Sequence, residues 1–129
     1  MIYYDKVSKV YPDKTVALEE VSFGVEPKEF VTLVGSSGAG KTTLMKMLIG
    51  EEWPSAGAVF FESFNIHRLG KRDMTKLRRR IGTVFQDYRL IPNKTIYENI
   101  AFAMEASGRT DSEVAADVPH VLELVNLGH

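Results

Sequence analysis

The chain has 129 residues, of which 44% are hydrophobic and 26% carry a charge. This composition is typical of one soluble globular domain and excludes a disordered chain, because the apolar residues suffice for a core. A net charge of −1 excludes a globally basic nucleic-acid-binding protein, and the absence of cysteine excludes disulfides, thiolate zinc sites and a thiol nucleophile. No apolar stretch is long enough to cross a bilayer, and residues 1–6 do not resemble a secretion signal, so we expect a cytoplasmic protein.

The first part of the chain is predicted to be rich in strands. Alternating polar and apolar residues favour strands over Ile2–Val10 and Val16–Val25. The unbroken apolar run Phe30–Val34 predicts a strand that is buried on both faces of a sheet. A helix is then predicted over Thr42–Ile49, where Gly50 stops it. Its apolar face consists of Leu44, Met45, Leu48 and Ile49.

A basic segment follows, between two short predicted strands. The strands are expected over Ala58–Phe61 and Ile81–Phe85. Asp73 is predicted to cap the helix between them, which ends at Gly82 and has arginines in its last turn, where cations interact favourably with the helix dipole. Six basic residues and one acid lie within Lys71–Arg80. Such a run indicates a solvated helix face, with anionic lipid headgroups or nucleic acid as alternatives; the lack of interleaved aromatic residues weakens the nucleic-acid alternative.

The last part of the chain is predicted to be helical and acidic. Helices are expected over Thr95–Ala106 and Ser112–Leu127, the second capped by Asp111 or Ser112. Residues 98–129 contain six acids and one arginine, so the basic and acidic segments nearly cancel in net charge. The three histidines lack the spacing of metal ligands and are interpreted as structural or surface residues. They are His67, His120 and His129.

The strongest motif is a glycine-rich loop between a predicted strand and a predicted helix. Residues 35–42 match the pattern G-x-x-x-x-G-K-[ST]. Glycines allow the backbone amides to converge on an anion, and the N-terminus of the following helix adds positive potential. Lys41 supplies a mobile charge for the β- and γ-phosphates of a nucleotide, and the Thr42 hydroxyl is placed to bind Mg²⁺. The predicted phosphate-binding residues are Gly35, Ser36, Ser37, Gly38, Ala39, Gly40, Lys41, Thr42 and Thr43.

Hydrolysis of a nucleotide also requires a carboxylate that orders Mg²⁺. Two apolar runs end in an acid, at Asp5 and at Asp87, but neither is followed by a second acid suited to act as a base. The residues alone therefore leave a complete small P-loop kinase or GTPase open as an alternative, although it lacks a convincing acidic metal ligand.

Segments on both sides of this loop resemble the ATP-binding domain of ABC transporters. They are Val7–Tyr11, Ala17–Phe23 and Ile81–Asp87, and the stretch Gln86–Ala103 is similar to the cell-division branch of that family. The resemblance implies an α/β fold of the P-loop NTPase type, with an N-terminal antiparallel β portion and the start of a helical subdomain. It also implies that Tyr11 stacks on adenine with Val16 beside it, and that Gln86 contacts Mg²⁺ and the attacking water. Gln86 and Lys41 are then the catalytic candidates, and Thr42 and Gln86 the metal candidates.

Three parts of the family's pattern have no counterpart in this sequence: the signature loop, the acid that ends a strand, and the switch histidine, for which His129 comes too early. The chain is therefore expected to be the N-terminal portion of an ABC-type domain, with the nucleotide-binding core over residues 1–86 and the start of the helical subdomain over residues 87–129. We expect it to bind ATP and Mg²⁺ but not to hydrolyse ATP efficiently, because in the family the acid and the signature motif complete the site.

The resemblance also implies partners. They are an integral membrane protein of FtsX or permease type and a second ATP-binding subunit, which would place the chain at the inner face of the cell membrane; no nucleic acid is expected. Residues Tyr88–Pro92 are either a plain loop or, through exposed apolar side chains beside Gln86, a groove for a membrane protein's cytoplasmic helix. Because Phe30–Val34 would lack a sheet neighbour, we expect a homo-oligomer that covers its edges. The remaining alternative is a non-catalytic assembly fragment that binds no nucleotide.

Overall fold

The computed structural model describes residues 1–128, so the expectation about His129 lies outside the described residues. The chain forms two compact units, Met1–Gly82 and a second unit that begins at Thr83. The division into a core and a helical subdomain after residue 86 stays a prediction.

A four-stranded antiparallel sheet is the framework of the first unit. Its strands are β1 (Ile2–Val10), β2 (Val16–Val25), β3 (Ala56–Phe61) and β4 (Phe64–Asn65), in the order β2-β1-β3-β4. The predicted bounds of β1 and β2 are confirmed, and β3 begins at Ala56 instead of Ala58. Strand β4 escaped prediction because two residues are too short to show a period of alternation.

Helix α1 (Lys41–Leu48) packs on this sheet. The Tyr4 hydroxyl on β1 donates a hydrogen bond to the Leu44 carbonyl oxygen on α1, at 2.9 Å. The apolar face predicted for this helix was partly wrong: Met45 is 45% exposed, whereas Met47 is fully buried, because it lies one turn after Thr43 and Leu44 on the sheet-facing side. The core of the unit contains Tyr4, Val7, Leu18, Leu44, Met47, Leu48, Val59, Ile66, Met74 and Leu77.

Two predicted strands are wrong. Phe30–Val34 and Ile81–Phe85 have no regular secondary structure. Phe30, Val34 and Val84 are 92%, 87% and 99% exposed, so neither segment is buried in a sheet. The apolar composition of these segments favours an extended backbone, but a strand also needs a neighbour that accepts and donates its hydrogen bonds, and none of the strands within residues 1–128 pairs with either segment.

Helix α2 (Lys71–Arg79) carries the basic run. Its N-cap is Gly70 and not Asp73, since the helix begins earlier than predicted and places Asp73 in its first turn. There the Asp73 carboxylate lies 3.2 Å from the Lys76 ammonium. Arg78 lies on the side of α2 that faces α1, and its guanidinium donates to the Ile49 carbonyl oxygen at 2.8 Å and the Gly50 carbonyl oxygen at 3.1 Å. The guanidinium thereby satisfies carbonyl groups at the end of α1.

The second unit contains the helices α3 (Ile96–Ala106) and α4 (Asp111–Leu124), which confirms both predicted helices with small changes in their bounds. Each begins with a capping box. In α3 the Thr95 hydroxyl accepts the Glu98 amide at 3.2 Å while the Glu98 carboxylate accepts the Thr95 amide at 2.7 Å. The two helices pack through a small cluster of buried residues. Its members are Ala101, Val114 and Val118.

The cap predicted for α4 was wrong. Neither Asp111 nor Ser112 caps it, because Thr110 forms the capping box with Glu113: the Glu113 carboxylate accepts the Thr110 amide at 2.8 Å. A reciprocal pair of hydrogen bonds is worth more than one side-chain bond, so it fixes the start of the helix. No helix within residues 1–128 combines the length and the apolar character needed to span a membrane.

Candidate functional site

The glycine-rich loop lies between the sheet and α1 and turns twice through left-handed backbone. Gly38 and Gly40 both have φ of +81°, a conformation in which a side chain is strained. The Ala39 amide donates to the Ser36 carbonyl oxygen at 3.2 Å, which closes the turn between them. Gly40 is pressed against β2, since an added Cβ would lie 2.5 Å from the Ala17 carbonyl oxygen. Both glycines thus have a backbone conformation that a residue with a side chain adopts only under strain, and the convergence of the loop amides on an anion stays a prediction.

The N-terminus of α1 opens onto this loop. Gly40 is the N-cap residue and has no side chain to cap the helix. The first backbone hydrogen bond of the helix runs from the Leu44 amide to the Gly40 carbonyl oxygen, at 3.0 Å. The amides of the three preceding residues thus lie at the positive end of the helix, where an anion satisfies both the orphan donors and the dipole. These residues are Lys41, Thr42 and Thr43.

The Lys41 ammonium turns back over the loop. Its Nζ donates to the Gly35 carbonyl oxygen at 2.8 Å and to the Ser36 carbonyl oxygen at 2.7 Å. Two neutral carbonyl groups hold the full positive charge in place without neutralising it. A phosphate would provide a stronger, charge-assisted partner for the same ammonium. The loop, the helix end and Lys41 therefore fit a phosphate group.

The hydroxyl groups of Thr42 and Thr43 have different surroundings. Thr42 is an exposed residue at the start of α1, beside the loop. Thr43 is only 8% exposed, and its Oγ1 lies 3.2 Å from the Tyr11 hydroxyl. The structure thus brings the phosphate loop and Tyr11 together. Val16 is 58% exposed and pairs with Val10 at the end of β1, one residue before Tyr11.

Two residues near Tyr11 were missed in the sequence. Lys9 places its ammonium 5.0 Å from the centre of the Tyr11 ring. The same ammonium lies 2.8 Å from a carboxylate oxygen of Glu52 and donates to the Trp53 carbonyl oxygen at 2.8 Å. Because Lys9 and Glu52 are far apart in the chain, no local pattern pairs them.

Gln86 belongs to the second unit, where it is exposed and lies outside the helices and strands. Its neighbour Asp87 lies 3.5 Å from the Arg89 guanidinium, and that guanidinium stacks 3.6 Å from the centre of the Phe85 ring. Further along, the Asn99 side chain on α3 accepts the Ile91 amide at 2.7 Å and so fixes the end of this segment.

The apolar side chains predicted to form a docking groove are partly exposed. Tyr88 is 82% and Leu90 68% exposed, whereas Ile91 is half-buried. Their exposure is consistent with the prediction, but whether they bind a partner stays a prediction.

Acidic metal ligands are not assembled in the part of the chain that the structure describes: no three His, Cys, Asp or Glu side chains cluster there. Asp5 lies on β1 opposite Ala58 of β3, and Asp87 is engaged by Arg89. His67 is structural, as predicted: its Nε2 lies 2.9 Å from the Glu52 carbonyl oxygen, and burial lowers the pKa of its imidazole. The binding of Mg²⁺ by the Thr42 hydroxyl stays a prediction, and neither Asp5 nor Asp87 lies in a cluster of three metal-ligating side chains within residues 1–128.

Comparisons with known proteins show the family of the chain. The family model described as ABC transporter matches residues 18–129, a range that includes the whole phosphate loop. The chain therefore belongs to the ABC transporter family.

Among curated proteins, the chain is similar to the cell division ATP-binding protein FtsE. It is 46% identical to FtsE of Streptococcus pneumoniae over 123 residues, which covers 95% of this chain and 54% of that protein. It is 41% identical to FtsE of Bacillus subtilis over 129 residues, which covers 100% of this chain and 57% of that protein. The chain thus spans about half the length of the curated relatives it matches.

A solved structure shares this fold. It is the dimeric, post-hydrolysis state of the ATP-binding cassette MJ0796 bound to ADP and Pi, with a TM-score of 0.86 and 28% identity over 98% of this chain and 57% of that chain. The predicted resemblance to ABC ATP-binding domains is confirmed, as is the predicted α/β fold with an N-terminal antiparallel portion.

Proposed function

We propose that this chain binds ATP together with Mg²⁺ at the loop of residues 35–43. The observation that carries the proposal is the Lys41 ammonium, held 2.7–2.8 Å from two loop carbonyl oxygens at the open N-terminus of α1. This arrangement places a full positive charge, held by two neutral carbonyl groups, beside the positive end of a helix dipole. A polyphosphate is the ligand class that such a site favours.

Each residue of the site has a proposed role. The loop amides bind phosphate oxygens, and Lys41 exchanges its two carbonyl partners for the terminal phosphates. Thr42 offers its exposed hydroxyl to Mg²⁺, which when bound neutralises phosphate charge. Tyr11 provides a stacking surface for adenine with Val16 beside it.

For the longer proteins that this chain resembles, we propose an FtsE-like subunit that couples ATP binding and hydrolysis to a membrane partner. The partner would be an integral membrane protein of FtsX or permease type, and a second ATP-binding subunit would complete the assembly at the inner face of the cell membrane. In that assembly Gln86 would contact Mg²⁺ and the attacking water. We propose little hydrolysis by this chain, because in the family an acid that ends a strand and a signature loop complete the site, and neither motif has a counterpart in this sequence.

Calorimetric titration with ATP and Mg²⁺ tests the binding proposal directly. Lys41→Ala should weaken binding by roughly 10- to 100-fold, because it removes a charge-assisted hydrogen bond to phosphate. Lys46→Ala is the matched control, since it removes the same charge from the other end of α1 and should leave the affinity unchanged. Equal affinity for ATP in wild type and Lys41→Ala would contradict the proposal, and steady ATP or GTP turnover by this chain would instead favour a small kinase or GTPase.

A second proposed property is self-association through residues 30–34. Phe30 and Val34 expose most of their apolar surface, and the segment has no strand partner among the described residues. A second copy would cover it by strand pairing. Sedimentation should show a concentration-dependent oligomer that Phe30→Ser weakens and Phe64→Ser, at another exposed phenylalanine, does not. A stable, cooperatively folding monomer would contradict it.

A further inference from the structure

The Lys9 ammonium on β1 is immobilised by three groups. It contacts the Glu52 carboxylate and the Trp53 carbonyl oxygen, both at 2.8 Å, and it lies over the Tyr11 ring at 5.0 Å. Its side chain is only 13% exposed. Two of its three N–H donors are thus engaged, and a shielded ammonium held in this way does not act as a mobile counter-ion.

The Tyr11 ring is held from other directions as well. The Tyr11 backbone amide donates to the Thr15 carbonyl oxygen, and the Tyr11 carbonyl oxygen accepts the Lys14 amide, both at 2.9 Å. Its hydroxyl lies 3.2 Å from Thr43 Oγ1. The ring is therefore fixed at its base, at its tip and, through Lys9, on one face.

We propose that Lys9, anchored by Glu52, is a positioning residue for the nucleobase: it fixes the Tyr11 ring and occupies one ring face, so that the base stacks on the other. The inference rests on the proposed ATP binding and deepens it. A cation behind an aromatic ring draws electron density toward itself, and the opposite face then attracts an electron-rich purine more strongly. Lys9 acts through Tyr11 and touches neither the base nor the phosphates.

The bond between Tyr11 and Thr43 extends this arrangement to the phosphates. A threonine hydroxyl has one proton to donate and two sites that accept. When Thr43 donates its proton to a phosphate oxygen, the Tyr11 hydroxyl must donate to Thr43. With this direction of the hydrogen bond, Thr43 binds a phosphate while it accepts the proton of the Tyr11 hydroxyl. The ring on which the base stacks is then held in a fixed position relative to the loop that binds the phosphates.

The test compares ATP with inorganic tripolyphosphate, which has no base, in calorimetric titrations with Mg²⁺. Lys9→Met keeps most of the side-chain length and removes the charge. We expect it to weaken ATP binding by roughly three- to ten-fold and to leave tripolyphosphate binding unchanged. Lys9→Arg should restore ATP affinity because it keeps the cation. Lys6→Met, at an exposed lysine of the same strand, should have no effect on either ligand.

Equal weakening of both ligands by Lys9→Met, or no weakening of ATP, would overturn the inference. Should Lys9→Met fail to fold, as judged by the loss of its far-ultraviolet circular dichroism, Glu52→Gln takes its place as the test: it should weaken ATP binding selectively, although less. If the wild-type chain binds tripolyphosphate as tightly as ATP, the phosphate site stands and the role of Lys9 falls. If it binds neither ligand, the proposed function falls as well.

Discussion

The two units of this chain are stabilised by different means. The first unit has ten buried residues in one cluster, contributed by strands and helices far apart in sequence, and long-range bonds such as that between Tyr4 and Leu44. Three residues are buried in the described part of the second unit, and its side-chain hydrogen bonds are local, among them those of the two capping boxes and of Asn99. The phosphate loop therefore depends on contacts between residues far apart in the chain, which form cooperatively. The starts of α3 and α4 are determined by neighbouring residues instead.

The largest effect is expected from the same substitution, valine to alanine, made at one buried position in each unit. Val59 on β3 and Val118 on α4 are both fully buried. Val59→Ala should lower the free energy of unfolding of the first unit by about 2 kcal/mol, because a large cluster cannot collapse around the cavity. Val118→Ala should cost less than about 1 kcal/mol, since a small cluster relaxes and alanine is the better helix former. Hydrogen exchange resolved by segment measures both changes; equal costs would contradict the contrast.

A smaller effect is expected from the cap of α3. Thr95→Ala removes the acceptor for the Glu98 amide and should destabilise the helix by about 1 kcal/mol. Exchange of the first-turn amides of α3 should accelerate, while exchange in the sheet should not change. Thr95→Ser keeps the hydroxyl and is the control; acceleration by the serine variant to the same degree would show that the cap contributes nothing.

The smallest effect is a difference in acid sensitivity. Burial lowers the pKa of His67 below its ordinary 6.5, so the unfolded chain takes up a proton before the folded one does, and the first unit should lose stability as the pH falls below about 6.5. Hydrogen bonds from the Thr95 and Thr110 amides lower the pKa values of Glu98 and Glu113 below their ordinary 4.5. The stability given by these carboxylates is present above about 4.5 and is lost as the pH falls through their folded pKa values.

Exchange measured from about pH 7 to about pH 3 separates these two responses. Above about pH 5, His67→Gln should flatten the response of the first unit and leave the second unchanged. An identical pH profile for both units in the wild type would contradict the assignment.

The features that were predicted correctly from the sequence are those that a local residue pattern determines. Strand alternation in β1 and β2, the glycine-rich loop and the two final helices were all readable, because each depends on residues close in the chain. The misplaced strands at Phe30–Val34 and Ile81–Phe85 failed for the opposite reason: strand formation depends on a partner, and composition shows only the preference for extended backbone. In the site, the loop and Tyr11 were predicted, while Lys9 and Glu52 depend on a tertiary contact that no spacing reveals.

The close contact between Gly40 and β2 restricts which residues can replace this glycine. An added methyl group would meet both the Ala17 carbonyl oxygen and the Leu18 side chain, at 2.5 and 2.6 Å, and the backbone there also has a positive φ. At Gly38 the φ is equally positive, but the space beside it is open. In a library of random variants selected for ATP binding, asparagine or aspartate should therefore be found at position 38 at low frequency. At position 40, glycine alone should be found.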